Sequence, residues 1–306
     1  MSVVSRLKGK GPSGFGYGST AEDVTEGLDL SAKRYVLTGC TSGLGAEVMR
    51  VLIKRGAAVF ALARSLDQAA TACAPYGALG APLACDLSEP RSVRACVQEI
   101  LTAGAPVDGI IANAGIMALP DLTVKHGLEL QFLTNHLGHF LLVTGLLKQL
   151  GERGRVVILS SSAHKMAPKA GIEFNNLDGT HGYSPGSAYG QSKLANLLFA
   201  KELSRRLPGP HQTANAVHPG VINTGLQRSL NPFVAGVLRV MGPLVLKSIP
   251  EGAATPTFVA THPSVASTAG AYFADCNLAQ CSQLASNEVL AKQLWDVSEG
   301  LAAGLA

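Results

Sequence analysis

The chain has 306 residues and a formal net charge of +4, and 47% of its residues are hydrophobic while 15% are charged. These values suit one large α/β domain, and the 34 glycines suit a buried parallel sheet with tight turns. The charge is too mild and too scattered to favour a nucleic-acid partner. The six cysteines form no C-x-x-C pair and no cluster with metal-ligand spacing, so we expect reduced thiols, no metal site and a cytoplasmic location.

Residues 1–30 are rich in glycine and polar residues, which predicts a mobile or surface-draped N-terminal arm without a secretory signal. The longest apolar run of the chain, residues 232–246, is interrupted by Arg239. It is also shorter than the ~20 residues that a membrane-spanning helix needs. We therefore expect no transmembrane segment.

From residue 31 onward, patterns typical of strands alternate with patterns typical of helices. The predicted strands cover residues 34–38, 57–63, 82–85, 107–112, 155–160, 213–217 and 269–273. The predicted helices cover residues 44–54, 92–101, 128–150, 189–207, 252–261 and 288–298. This alternation predicts one α/β domain over residues 31–306, a doubly wound parallel sheet (Rossmann fold) of about seven strands with helices on both faces. Ligands of such sheets bind beyond the carboxyl ends of the strands.

A glycine-rich loop joins the first predicted strand to the first predicted helix. Its sequence, T-G-C-T-S-G-L-G over residues 38–45, has glycines that let the backbone approach a pyrophosphate at the helix N-terminus. An ordinary turn is the alternative. We expect nucleotide contacts from Gly39, Thr41, Ser42, Gly43, Leu44 and Gly45.

The end of the second strand bears on the choice between NAD and NADP. A carboxylate there would bind the ribose 2′-hydroxyl of NAD. Ala63 stands at this point instead, and Arg64 and Ser65 follow. Arginine suits a 2′-phosphate because its guanidinium donates two parallel hydrogen bonds. We therefore expect NADP(H) in preference to NAD(H), the alternative being a solvated arginine.

Two further strand ends carry residues suited to a dinucleotide. Asp86, followed by Leu87, could accept a hydrogen bond from the adenine amino group. Asn113, Ala114 and Gly115 are small residues that let a flat ring lie against the backbone. Either segment could be only a turn.

Tyr189 and Lys193 lie four residues apart near the start of a predicted helix, and so on one face of it. They could be an ordinary surface pair. Alternatively, Lys193 lowers the pKa of Tyr189 from its usual ~10, which would let the phenol exchange a proton near neutral pH.

Taken together, these motifs resemble the short-chain dehydrogenase/reductase superfamily. The resemblance rests on the loop at 38–45, Asp86-Leu87, Asn113-Ala114-Gly115, Asn135, the serines at 160–162, Tyr189-x-x-x-Lys193 and Pro219-Gly220. Longer segments, such as LQFLTNHLGHFLL at 130–142 and HPGVINTGL at 218–226, are similar to the branch that holds retinol dehydrogenases, the WW-domain oxidoreductase and protochlorophyllide reductase.

The resemblance implies a role for each matching residue. Tyr189 would be the general acid/base, and Lys193 would hold the nicotinamide ribose. Ser161 would hydrogen-bond the substrate oxygen, with Ser160 and Ser162 as weaker candidates. Asn135 would keep a water that links Lys193 to solvent. The nicotinamide would contact Pro219, Gly220, Val221 and Thr224.

The substrate side is expected to be apolar. In this family residues 225–256 would form the substrate lid, and here they are rich in Leu and Val. The same residues could instead pack against the protein body or another subunit, and the helices at 128–150 and 189–207 could form a homodimer. We therefore expect an NADP(H)-dependent oxidoreductase acting on a small apolar carbonyl or alcohol. C=C reduction and a non-catalytic NADP-binding scaffold are the alternatives.

Overall fold

A computed structural model describes residues 8–222 and 246–305 of the chain. Its strands are β1 (Arg34–Thr38), β2 (Ala58–Ala63), β3 (Gly80–Ala84), β4 (Val107–Ala112), β5 (Val124–Lys125), β6 (Leu128–Glu129), β7 (Leu150–Leu159), β8 (Thr213–His218), β9 (Tyr272–Ala274) and β10 (Asn277–Leu278). Its main helices are α1 (Gly43–Lys54), α2 (Leu66–Cys73), α3 (Pro90–Thr102), α4 (Gly138–Leu146), α5 (Pro185–Arg206), α6 (Ile249–Thr261) and α7 (Glu288–Gly304).

Eight strands form one sheet in the order β3-β2-β1-β4-β7-β8-β9-β10. All neighbours in it are parallel except β9 and β10, while β5 and β6 form a separate antiparallel hairpin. The strand order reverses direction between β1 and β4, so a crevice opens at their carboxyl ends. This is the doubly wound fold that the sequence predicts.

Apolar layers on both faces of the sheet explain why its central strands are almost continuously hydrophobic. Helices α3, α4, α5 and α7 pack in the cluster that contains Ile110, Phe140 and Leu194. Helices α1, α2 and α6 pack in the cluster that contains Leu37, Val48 and Phe258. The sheet is therefore buried on both sides, and the ends of its strands are left for a site.

The structure differs from the sequence-based elements in several places, one of which is strand β5, which was not predicted. Helix α2 was not predicted, although Ser65 caps it by accepting a hydrogen bond from the Gln68 amide. The short antiparallel strand β10 was not predicted either. The single helix expected over 128–150 is instead strand β6, a helical turn at Leu130–Phe132, a π turn at Leu133–Leu137 and helix α4. Helix α4 is apolar on nearly all sides, so its sequence has no periodicity that would mark where it begins.

The described part of the N-terminal arm, residues 8–30, lies on the body of the protein. Ala21 and Val24 are buried in the cluster that contains α1 and α6. The Glu22 carboxylate lies 2.6 Å from Arg50 and 2.7 Å from Lys54, both on α1. From residue 8 onward the arm is therefore draped on the surface and attached to it.

Residues 225–245 of the predicted lid lie outside the described residues. Thr224, which precedes the lid, also lies outside them. Residues 249–256 belong to α6, which begins at a capping box formed by Ser248 and Glu251 and packs against the sheet. None of the helices within the described ranges is long and apolar enough to cross a membrane.

Helix α7 lies across α4 and α5. The Trp295 ring packs edge-on against Phe140, with ring centres 5.1 Å apart, and 5.8 Å from the ring of Phe199. The Ser298 hydroxyl lies 2.9 Å from His136 Nε2. The two helices that the sequence suggested as a dimer face are thus covered by the chain's own α7.

Candidate active site

The glycine-rich loop between β1 and α1 needs glycine at three of its positions. Gly39 and Gly43 adopt φ values of +74° and +57°, in the left-handed region that favours glycine. A Cβ on Gly45 would collide with the Gly39 carbonyl oxygen. Ser42, the N-cap of α1, makes no side-chain capping bond, so the first amides of α1 point toward the crevice without that partner.

Hydrogen bonds join this loop to the end of β4. The Thr38 hydroxyl accepts from the amides of Asn113 and Ala114, each at 2.9 Å. The Asn113 side-chain amide donates to the Thr38 carbonyl at 2.9 Å, whereas Asn113 Oδ1 is buried and has no partner among the described residues. Two segments predicted to bind the cofactor are therefore adjacent.

The ends of β2 and β3 lie along the same edge of the sheet. Arg64 is exposed and forms no ion pair with any described residue. Asp86 Oδ1 accepts hydrogen bonds from the amide and the hydroxyl of Ser88, so part of this carboxylate stabilises its own turn. Leu87 is buried, with its carbonyl against Gly138.

Tyr189 and Lys193 lie in the N-terminal half of α5. Lys193 is buried, and its ammonium donates to the Leu159 carbonyl at 3.1 Å. The Lys193 nitrogen lies 5.7 Å from the centre of the Tyr189 ring. The helix therefore does bring the phenol and the ammonium to one site.

Burial opposes the lowering of the Tyr189 pKa that we expect from Lys193. Burial raises the pKa of Tyr189 to about 12, although a hydrogen bond from Ser161 works in the opposite direction. Burial also lowers the pKa of Lys193 to about 8. The loss of water around both groups has a larger effect on their pKa values than the attraction expected between the Lys193 ammonium and a charged Tyr189.

Asn135 lies in the π turn, a type of irregularity that is frequent at functional sites. Its side chain accepts from the Ile116 amide at 2.8 Å and donates to the Ile116 carbonyl and to Ser192 Oγ, each at 2.9 Å. A Cβ on Gly115 would lie 3.1 Å from Asn135 Oδ1 and 3.4 Å from Lys193 Nζ. Asn135, Gly115 and Lys193 thus converge on one point.

The three serines after β7 have different surroundings. Ser161 caps the short 3₁₀ segment Ser162–Met166, and its hydroxyl accepts from the Ala163 amide at 3.2 Å. Ser160 is buried and donates to the Lys193 carbonyl at 2.7 Å. Ser162 is exposed. Only Ser161 among them contacts the Tyr189 phenol.

Two buried histidines support the site through contacts that sequence reasoning did not predict. His139 Nε2 lies 2.9 Å from the Thr38 hydroxyl, and its Nδ1 lies 2.9 Å from the Asn135 carbonyl. His164 Nδ1 lies 2.6 Å from the Ser161 carbonyl. Burial lowers the pKa of both imidazoles, that of His139 to about 4, so they act as neutral hydrogen-bonding groups at pH 7. Nothing in the local sequence marks these contacts.

Residues 219–222, which follow β8, lie at the same carboxyl-end edge of the sheet. Pro219 is buried, Gly220 has a φ of +94°, and Val221 is 53% exposed. Thr224, the remaining residue predicted for this loop, lies outside the described residues. Within the described ranges, no group of three His, Cys, Asp or Glu could hold a metal ion.

These residues fit a dinucleotide. The glycine loop leaves backbone amides at a helix start, and the lack of side chains at Gly39 and Gly45 lets it pack closely on itself and on the end of β4. Asn113 Oδ1, which has no partner among the described residues, and Gly115, which lies beside Asn135 and Lys193, continue this line toward Tyr189. A doubly wound sheet with such a loop and a tyrosine–lysine pair defines a dinucleotide-binding oxidoreductase.

The chain belongs to the short-chain dehydrogenase family, whose pattern matches residues 33–235. It is similar to short-chain dehydrogenase TIC 32 A, chloroplastic, of Brassica napus, with 42% identity over 314 residues covering 97% of this chain and 98% of that one. It is also similar to retinol dehydrogenase 11 of Mus musculus, with 36% identity covering 90% of this chain and 87% of that one.

Solved structures share the fold. An uncharacterized protein from Mycobacterium Paratuberculosis superposes with a TM-score of 0.75 at 31% identity, covering 94% of this chain and 98% of that one. A short chain dehydrogenase from Burkholderia cenocepacia in complex with NADP superposes with a TM-score of 0.64 at 26% identity, covering 80% and 96%.

Proposed function

We propose that the protein is an NADP(H)-dependent oxidoreductase that transfers a hydride between the nicotinamide and a hydrophobic carbonyl or alcohol, with Tyr189 as general acid/base. The observation that carries the proposal is the convergence of Tyr189, Ser161, Lys193 and Asn135 beside the glycine loop at one edge of the sheet.

Preference for NADP(H) is supported by the end of β2. Ala63 occupies the position at which a carboxylate would bind the 2′-hydroxyl of NAD, and Arg64 is exposed without an ion pair to a described residue. Its guanidinium is therefore available for a 2′-phosphate. Gly39, Thr41, Ser42, Gly43, Leu44, Gly45 and Ser65 would hold the phosphates, and Asp86, Leu87, Asn113, Ala114 and Gly115 the adenosine and the central part of the cofactor. The bound cofactor would supply or accept the hydride.

The chain's own residues would donate a proton to the substrate oxygen and stabilise the negative charge that develops on it. With a pKa of about 12, the Tyr189 phenol stays protonated at pH 7 and can give a proton to an oxygen that gains negative charge. Ser161 can donate a second hydrogen bond to the same oxygen. The Lys193 ammonium, with a pKa of about 8, is mostly charged at pH 7 and stabilises negative charge on Tyr189.

An apolar substrate is supported by two exposed side chains on either side of these residues. Met166 follows the Ser161 turn and is 57% exposed, and Val221 in the loop after β8 is 53% exposed. Apolar side chains at the mouth of a site favour apolar ligands. The relatives named as retinol dehydrogenases agree with this substrate class.

The test is NADPH oxidation with a panel of apolar aldehydes, ketones and enones, with NADH in parallel. We expect turnover of a carbonyl with NADPH, and a loss of about 100-fold or more in Tyr189→Phe, because general acid catalysis contributes on that scale. Tyr76→Phe, which removes a phenol far from the site, is the matched control. Full activity of Tyr189→Phe would refute the mechanism, and reduction of enones alone would favour C=C reduction.

The cellular location is a separate question. The sequence favours the cytoplasm, whereas the TIC 32 relatives are named as chloroplastic. Imaging of the fluorescently tagged full chain in its own cells would decide between cytoplasm and plastid.

A further inference from the structure

Lys247 is a lysine whose side chain is completely buried. Its side chain is 0% exposed, and its nitrogen lies 2.7 Å from Asp275 Oδ1 and 4.7 Å from the centre of the Tyr17 ring. The approach to Asp275 is an ion pair by distance, but Lys247 Nζ makes no well-aligned hydrogen bond with a described residue. Buried ammonium groups are costly, and methionine would fill the same volume without that cost.

The rest of Lys247 supports the loop after β8. Its amide donates to the Val221 carbonyl at 2.9 Å, and Lys247 pairs with Ile222 in a parallel bridge. Its aliphatic stem lies against Gly220, where a Cβ would be 2.6 Å from Lys247 Cδ. The backbone of this loop therefore rests directly on Lys247.

The same loop also contacts the phosphate-binding side of the crevice. A Cβ on Gly252 of α6 would collide with the Ile222 side chain and lie 2.8 Å from Leu44 Cδ2. Residues 219–222, the start of α6 and the start of α1 are thus packed as one unit. A movement of residues 219–222 away from Lys247 would therefore change the packing at the start of α1, beside the cofactor crevice.

We propose that Lys247 is a positioning residue for the nicotinamide half of the cofactor. It holds residues 219–222 in place, while Asp275 and Tyr17 fix its ammonium group. This inference rests on the proposed function, because residues 219–221 would there contact the nicotinamide. It also makes the N-terminal arm part of the support of the cofactor site, since Tyr17 belongs to that arm.

The experiment compares two ligands on the full chain. NADPH has a nicotinamide half, and adenosine 2′,5′-bisphosphate lacks it. In Lys247→Met we expect the Kd of NADPH, measured by fluorescence titration, to rise at least about tenfold, and the Kd of the bisphosphate to stay within about twofold. Lys247→Arg should recover part of the NADPH affinity. Lys33→Met, which breaks the exposed 2.9 Å pair with Asp108, is the matched control.

Each outcome decides the inference. Unchanged NADPH affinity in folded Lys247→Met would overturn it, and so would equal losses for both ligands, which would indicate general destabilisation. If Lys247→Met does not fold, Asp275→Asn and Tyr17→Leu replace it, and they should weaken NADPH selectively in the same way. A wild-type chain that does not bind NADPH would instead refute the proposed function itself.

Discussion

Replacing Lys193 with methionine should stabilise the fold while it removes the candidate site. Lys193 is buried, and burial lowers its pKa from the ordinary 10.5 to about 8. One pKa unit is worth about 1.4 kcal/mol, so this difference corresponds to roughly 3 kcal/mol of unfavourable free energy in the folded state at pH 7. Methionine has a similar length and carries no charge.

The variant also loses one favourable contact. The Lys193 ammonium donates to the Leu159 carbonyl, but this carbonyl keeps a 2.9 Å hydrogen bond from Asn196. Since the acceptor stays satisfied, the loss should be about 1 kcal/mol. The net gain is about 2 kcal/mol, which for a chain of this size raises Tm by roughly 4 °C.

The pH dependence gives the decisive control. Below pH 8 Lys193 is charged in both the folded and the unfolded state, so the full penalty is present. Between pH 8 and 10.5 the unfolded state binds more protons, so wild-type stability rises relative to the variant, and above 10.5 the charge penalty has vanished. Chemical denaturation at several pH values measures this, with the exposed Lys148→Met as control. A stability difference that is zero at pH 7, or constant with pH, would refute the reasoning.

Three further variants test other parts of the molecule. Arg64→Ala should weaken NADPH at least about tenfold and NADH little, because a charged hydrogen bond is worth about 1.5–3 kcal/mol, and equal losses in titrations would remove the argument for NADP. Gly45→Ala should abolish dinucleotide binding, since its Cβ would collide with the Gly39 carbonyl, whereas Gly300→Ala, with nothing within 4 Å, should bind normally. Because α7 covers α4 and α5, we expect light scattering to show a monomer, although the sequence suggested a homodimer. Trp295→Ala should lose about 3–5 kcal/mol of stability and associate, and a stable monomeric variant would contradict this.

The alternation of strands and helices and the glycine loop could be predicted because their signals are local. The glycines of residues 38–45 follow an apolar strand and precede a helix, and the structure has that arrangement. The same holds for the pair on α5, whose four-residue spacing brings Tyr189 and Lys193 together in any helix. Alternation of strands and helices then leaves few topologies to choose from.

What the sequence could not show depends on burial and on contacts between distant segments. The raised pKa of Tyr189 comes from desolvation, which spacing does not reveal. Lys247 meets Asp275 and Tyr17, which lie far from it in the chain. His139 belongs to α4, a helix that is apolar on nearly all sides, so no face could be assigned to it from the pattern.

The position of α7 also has a consequence for synthesis of the protein. Helix α5, which carries Tyr189 and Lys193, is buried along most of its length, and part of that burial is supplied by residues 288–304. On the ribosome those residues emerge after every strand of the sheet. Until they do, the aromatic surface of Phe140 and Phe199 has no cover, and nascent chains with such surfaces are prone to aggregate. The last helix to be made is thus one that helps to bury α5, the helix that carries Tyr189 and Lys193.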